Sequence, residues 1–462
     1  MQSRDGARLA IFVMTNHSPV KQIGIFGHVG TLNLGDETII AAVLQNIRLR
    51  YPQAQIRAFT FNPDDTQARH GITSYPIRRT NGFFPGTKPP ASGGPATQSA
   101  GKPLIRQPGI RDAIKLIPVL YPAMKGIRNG IKLLKSSFSE LVFLGSCYKN
   151  LKGTDLLIVA GSGQLTDHSG GAWAYPYTFF KWSLLARALG TKLAFVSIGT
   201  SWIESPLSKF FLKSALSRAD YRSYRDESSE KQVRRLGISG ENIVVPDLAY
   251  SLNMPPAPVS VGPRGPRLLV GINPIPFYHE KLWHKADKQL YEKYVETHAG
   301  FASWLVHRGY DVLFFPTQLR ADPPAIQDII AAIQRRDPAT SGQIHVNSPL
   351  RSPEDLIAAM SRMDFILAAR FHGVLISHLL HKPVLAVSYH YKTADLMARM
   401  GQSECTVEIE DCTLGALTSR FILLESRSAK IAAELERRVP ICRQALDLQY
   451  QRIFSLLEQG TA

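Results

Sequence analysis

A short apolar strand, a glycine-bearing turn and a helix recur along this chain, and that unit restricts its fold more than any other feature. It first occurs at Gln22-Ile23-Gly24-Ile25-Phe26, which reads as a buried strand. The turn Gly27-His28-Val29-Gly30-Thr31-Leu32-Asn33-Leu34-Gly35-Asp36 follows. Residues 37–50 then place Ile39, Ile40, Val43, Leu44 and Ile47 at helical spacing. Further strands are expected at 55–61, 155–160, 192–197, 221–224 and 243–247, with helices at 173–189 and 206–217. The pattern restarts with strands at 267–272, 310–315, 364–369 and 383–388. Helices at 285–307, 324–335 and 374–380 separate them, and 426–457 forms a helical tail that returns across the halves. Strands alternating with helices argue for parallel sheets that bind ligands at the carboxyl ends of their strands.

The chain has 462 residues, too many for one comfortable core. Residues 255–266 carry five prolines and read as a linker. The division expected is therefore an N-terminal α/β domain, 1–255, and a C-terminal α/β domain with terminal helices, 256–462. Two Rossmann-like domains facing a cleft is the architecture this predicts. Residues 80–104, rich in Gly, Pro, Ser and Thr, look like a looped insertion, and the insertion as a whole covers about 80–150. Within it, residues 105–135 are basic and apolar, with Arg106, Arg111, Lys115, Lys125, Arg128, Lys132 and Lys135 against Asp112 alone. That stretch reads either as a membrane-surface helix interrupted at Pro118 and Pro122 or, with better odds, as a helix packed on the protein's own core.

The formal net charge is +17. Such a balance suits anionic small substrates, an anionic membrane surface or nucleic acid, or serves solubility alone. No zinc-finger spacing or RNA-binding motif occurs, so nucleic acid is the weakest partner. Cys147, Cys405, Cys412 and Cys442 form no CxxC pair, which fits free thiols in a reducing compartment. The apolar run at 10–14 is too short for a secretory segment, and no stretch reaches membrane-spanning length, so a cytoplasmic location is expected.

Four turns could carry chemistry. Arg370-Phe371-His372-Gly373 lies where a parallel strand ends and a helix begins, a place where free N–H groups favour an anion. There Arg370 offers a planar fork, His372 can move a proton near neutral pH, and Gly373 permits close approach of a ligand. Its structural reading, a surface arginine and a helix-capping histidine, is equally open. In Arg225-Asp226-Glu227, Asp226 reads as a helix cap, which leaves Arg225 unexplained. Asp36 reads first as a helix cap, and more sharply as a carboxylate facing the cleft beside the loop around His28. Gly161-Ser162-Gly163 follows a strand and suits either a phosphate or sugar against backbone, or only a tight turn. His378 and His381 lie three apart on an apolar helix and read as core. No carboxylate sits at ligand spacing among the histidines, so no metal is expected.

Taken in order, these pieces resemble the polysaccharide pyruvyl transferase family. The matching segments are Asn33-Leu34-Gly35-Asp36-Glu37, Asp155-Leu156-Leu157-Ile158-Val159-Ala160-Gly161-Ser162-Gly163-Gln164 and Ser197-Ile198-Gly199-Thr200. Tyr224-Arg225-Asp226-Glu227-Ser228, Pro246-Asp247, Ala369-Arg370-Phe371-His372-Gly373 and Tyr389-His390-Tyr391-Lys392 complete the set, which spans about 22–400. The first turn is longer than the family's usual version, and Ser162 stands where glycine is usual.

The resemblance implies a fold similar to the GT-B glycosyltransferase architecture. It also implies transfer of the pyruvyl (enolpyruvyl) group of phosphoenolpyruvate to a sugar of an exopolysaccharide or its lipid-linked precursor, forming a pyruvate ketal and releasing phosphate. Phosphoenolpyruvate would be the donor substrate, with no cofactor. His372 would be the general acid and Asp36 would orient or deprotonate a hydroxyl. Arg370, Arg225, Phe371, Gly373, Gly161 and Gly163 would bind substrate. The expected partners are the donor, a sugar acceptor and, peripherally, the inner membrane surface. Two other readings stay open: a nucleotide-sugar glycosyltransferase using Asp395 or Glu354, and a non-catalytic subunit of a polysaccharide assembly complex.

Overall fold

Two parallel sheets form the frame, and both follow the same winding order. The computed structural model describes residues 20–79, 120–254 and 267–458 apart from His28, Ser169, His284 and Ser348, with backbone only for 120–134. The expected insertion at 80–104, the basic stretch up to 119 and the proline-rich linker at 255–266 lie outside the described residues, as does His28.

The first sheet uses β1 (Gln22–Phe26), β2 (Gln55–Thr60), β3 (Thr73–Pro76), β4 (Leu156–Ala160), β5 (Lys192–Ile198), β6 (Tyr221–Tyr224) and β7 (Ile243–Val244) in the order β3-β2-β1-β4-β5-β6-β7. The second uses β8 (Leu269–Asn273), β9 (Asp311–Phe314), β10 (Ile344–Val346), β11 (Phe365–Ala368), β12 (Val384–Ser388) and β13 (Thr406–Glu408) in the order β10-β9-β8-β11-β12-β13. Every neighbouring pair is parallel. Winding reverses between β1 and β4 in one sheet and between β8 and β11 in the other. At such switch points adjacent turns diverge to opposite faces and leave a crevice.

The helices are α1 (Leu34–Arg50), α2 (Pro63–His70), α3 (Leu120–Leu151), α4 (Tyr175–Leu189), α5 (Pro206–Leu216), α6 (Glu227–Arg235), α7 (Lys288–His307), α8 (Asp322–Arg336), α9 (Pro353–Ser361), α10 (Phe371–Leu379), α11 (Tyr391–Arg399), α12 (Leu414–Ser426) and α13 (Ser428–Ser455). They cover both sheet faces, which is why central strands such as Leu156–Ala160 are apolar at every position. In β4, Leu156, Ile158 and Ala160 face one core, while Leu157 and Val159 face another with Phe26, Phe59, Phe179 and Trp182. Each such fully buried aliphatic side chain contributes about 1.5–3 kcal/mol. The first of these cores runs without a break into the second half of the molecule.

The halves are joined in two further ways. Tyr250 of the first half shares a buried hydrogen bond of 3.0 Å with His378 Nδ1 of α10, and burial pushes His378 down to about 3, so it stays neutral. The terminal helix α13 returns to the first sheet as expected: Gln449 bonds the hydroxyls of Ser197, Ser223 and Tyr221. Pro122 falls in the first turn of α3, where its missing N–H costs no helical hydrogen bond. Among the described residues no helix is long and apolar enough to cross a membrane.

Candidate active site

Two helix starts meet at the cleft, one from each switch point. Gly35 lies in the first turn of α1, and His372 in the first turn of α10. They are in direct contact, since a Cβ at position 35 would lie 2.5 Å from the His372 ring. A glycine is therefore required for the two halves to approach this closely. His372 is buried, and its Nε2 has no hydrogen-bond partner among the described residues.

Asp36 lies beside this histidine. It does not cap α1; Asn33 does, accepting the Gly35 N–H at 3.2 Å. The Asp36 carboxylate instead receives Asn33 Nδ2 at 2.7 Å on one oxygen and the Ser162 hydroxyl at 3.1 Å on the other. Burial pushes its pKa up, with Glu37 and Asp247 adding to the rise, while His372 and the Ser162 bond oppose it. Ser162, at a position where glycine would be usual, thus supplies a donor to the carboxylate. It adopts φ +65°, a strained setting for serine.

Arg225 reaches the cleft from the end of β6. Its guanidinium lies 4.5 Å from the centre of the Phe371 ring, a cation–π contact across the halves. Asp247 and Asp226 each approach it at 3.4 Å. Gly199 makes room, since a Cβ there would be 2.6 Å from Arg225 Nε. Asp226 caps α6 through the Ser229 N–H at 2.7 Å, the role its spacing suggested.

Lys392 is the residue sequence reasoning passed over. It stood in a matched motif and was given no part in the site. In the structure its Nζ lies 3.2 Å from the space a side chain at Gly163 would need, and Arg225 Nη2 lies 3.7 Å from that space. Burial, then the Arg225 charge, pushes Lys392 down to about 7, with Asp226 opposing. The same cations, after burial, hold His390 down to about 4. Lys392, Arg225, Asp226, Asp247 and Phe371 line a cavity of about 160 Å³ that continues toward Arg399 and Arg438. Asp395 also lines it.

The other sequence candidates sit differently. Arg370 is about one-fifth exposed, so it is not a free surface arginine, and it is not among the residues that line this cavity. Its Nε donates to Asp322 at 3.0 Å and its Nη2 to the same oxygen. Burial works against its charge, but Asp322, Tyr389 and Tyr294 together more than offset it and the net shift is upward. Gly373 and Gly161, expected to admit a ligand, are packing glycines. A Cβ at 373 would meet Asn273 at 2.9 Å, and one at 161 would meet Ile39 at 3.2 Å. Gly163 does face the cations. Thus the fold brings together Asp36, His372, Phe371, Arg225 and Gly163, ties Arg370 to Asp322, and packs Gly161 against Ile39 and Gly373 against Asn273. Among the described residues, no group of three or more His, Cys, Asp or Glu side chains could hold a metal ion.

The family model for polysaccharide pyruvyl transferase matches residues 33–391, a span that holds Asp36, Gly163, Arg225, Phe371 and His372 and ends one residue before Lys392. The chain belongs to the polysaccharide pyruvyl transferase family. Its activity class is thus pyruvyl transfer to polysaccharide. No curated protein sequence matches it. Among solved structures, it is similar to a putative UDP-N-acetylglucosamine 2-epimerase from Listeria monocytogenes, with a TM-score of 0.58, 11% identity, and coverage of 96% of this chain and 98% of that one. A glycosyltransferase from Rickettsia africae ESF-5 gives a TM-score of 0.52 at 10% identity over 96% and 100% of the two chains. These likenesses show the fold, a GT-B arrangement of two parallel-sheet α/β domains.

Proposed function

We propose that this pyruvyl transferase takes its pyruvyl group from phosphoenolpyruvate and builds a cyclic ketal on a sugar of an exopolysaccharide or its lipid-linked precursor. The observation that carries this reading is a proton-transfer pair, His372 and Asp36, set beside a separate cationic pair, Arg225 and Lys392. The donor has matching parts, a methylene carbon to be protonated and two anionic groups to be held. Arg225 and Lys392 are suited to the anions, with Phe371 fixing the Arg225 plane.

His372 gives a proton to the methylene carbon, which becomes the methyl group and leaves C2 electron-poor. One sugar hydroxyl bonds to C2 and yields its proton to the Asp36 carboxylate. The C2–O bond to phosphate then breaks, the oxygen keeping the electron pair and taking up a proton. A second hydroxyl bonds to C2 and loses its proton, closing the ketal. Two hydroxyl protons are released, and the methyl group and phosphate account for both. Burial raises the Asp36 pKa, which makes its carboxylate a better base than an exposed aspartate, while His372 and Ser162 act in favour of the ionised form.

The test is phosphate release from phosphoenolpyruvate by the purified protein across a panel of oligosaccharide acceptors. Release that depends on the acceptor supports the reading. Absence of release with every acceptor, from protein that retains its fold, would overturn it. Peripheral membrane contact stays part of the proposal, motivated by the basic stretch at 105–135.

A further inference from the structure

Arg370 and His372 sit two residues apart, and one hydrogen-bonded circuit crosses the cleft from the first to the neighbourhood of the second. It starts at Asp322, the first residue of α8, which is fully buried. One carboxylate oxygen accepts both Arg370 bonds. The other accepts the backbone N–H groups of Thr317 at 3.0 Å and Gln318 at 2.9 Å. Thr317 and Gln318 belong to a strap between the halves. Leu34 N–H donates to the Thr317 carbonyl and Leu319 N–H to the Leu32 carbonyl, each at 2.8 Å. Asn33 and Gln318 form an isolated antiparallel bridge, and Gln318 Nε2 reaches the Thr31 carbonyl at 3.2 Å. On the far side Asn33 Nδ2 holds Asp36, next to His372.

We propose that Asp322 is a positioning residue that couples docking of the 31–34 loop on residues 317–319 to the orientation of Arg370. A carboxylate is acceptor-only on both oxygens, so Asp322 can serve the guanidinium and the strap at once, whereas an amide of the same shape cannot. A fully buried carboxylate deprived of either partner set is expensive, so each set supports the other. Coupling of this kind is reciprocal: what loosens Arg370 loosens the strap through Asp322. The part that concerns the donor rests on the phosphoenolpyruvate reading; the coupling itself does not.

Hydrogen exchange at the Leu34 and Leu319 amides, in the ligand-free protein, tests the coupling with Arg370→Ala and Asp322→Asn. Faster exchange at both amides in both variants, with central strand amides unchanged, is the expected result. Unchanged strap exchange in Arg370→Ala overturns the coupling, and this variant decides the matter even if Asp322→Asn fails to fold. Steady-state kinetics with phosphoenolpyruvate varied test the consequence. Asp322→Asn and Arg370→Ala should lower kcat/KM for the donor alike, by about tenfold. The double variant should be no worse than Arg370→Ala alone; additive losses would contradict a shared role. If the unmodified protein turns over no phosphoenolpyruvate, the functional reading fails while the exchange result still stands or falls by itself.

Discussion

Two turns in this molecule set an arginine at the end of a parallel strand, and they are finished differently. After β6, Arg225 is followed by Asp226, whose carboxylate caps α6. After β11, Arg370 itself takes the cap position of α10, and its side chain makes no capping hydrogen bond. The arginines differ in the opposite sense. Arg225 meets two carboxylates at 3.4 Å and borders the cavity, while Arg370 is locked to the buried Asp322. A capped helix start has its N–H groups satisfied and leaves recognition to side chains. An uncapped start offers backbone donors and positive dipole to a ligand. The first turn therefore contributes a side-chain cation, the second a helix start and His372.

Removing the chemistry from the second turn should have the largest effect. His372→Ala is expected to lower kcat by about 10²–10⁴-fold, measured as phosphate release, with donor binding largely kept. A loss of donor binding in step with kcat would merge the two turns into one role. Next come the two glycines that fit against these turns. Gly35→Ala drives a methyl group into the His372 ring and should cost about 10²-fold in kcat. Gly199→Ala crowds Arg225 instead and should raise the donor KM about tenfold while kcat changes less. If the two variants gave the same kinetic pattern, the division of labour would be wrong.

The pH dependence sharpens the cationic side. Lys392 is held down to about 7, so in the free enzyme it loses its charge as pH rises through neutrality. The kcat/KM for the donor should fall above about pH 7, and Lys392→Arg should move that fall upward, because arginine keeps its proton. A profile unchanged by the substitution would remove Lys392 from donor recognition. The smallest effect belongs to Asp226→Ala, which deletes a cap worth about 1 kcal/mol of stability, read by denaturant unfolding.

The central strands and the helices that follow them could be read from sequence because both signals are local: runs of apolar residues and helical spacing bounded by glycine turns. The edge strands β3, β10 and β13 are three or four residues long and carry too little pattern to read. Their neighbours α2, α9, α11 and α12 went unread as well. At the site, Arg225, Asp36 and His372 were legible as residue types at strand ends. What Arg370 does was not, because Asp322 lies 48 positions away and reaches it only through the fold. Lys392 was hidden for the same reason, since its partners Arg225 and Gly163 come from the first half. The Asp36 cap was misread because Asn33, three residues earlier, takes that place.

The account's central claim is tested most directly by the mass of a sugar acceptor after incubation in D₂O with phosphoenolpyruvate or, separately, with nucleotide sugars. The account predicts gain of a pyruvyl ketal from phosphoenolpyruvate alone, with one solvent deuterium in its methyl group and no gain in His372→Ala. Gain of a glycosyl unit from a nucleotide sugar, retained in His372→Ala, would contradict it.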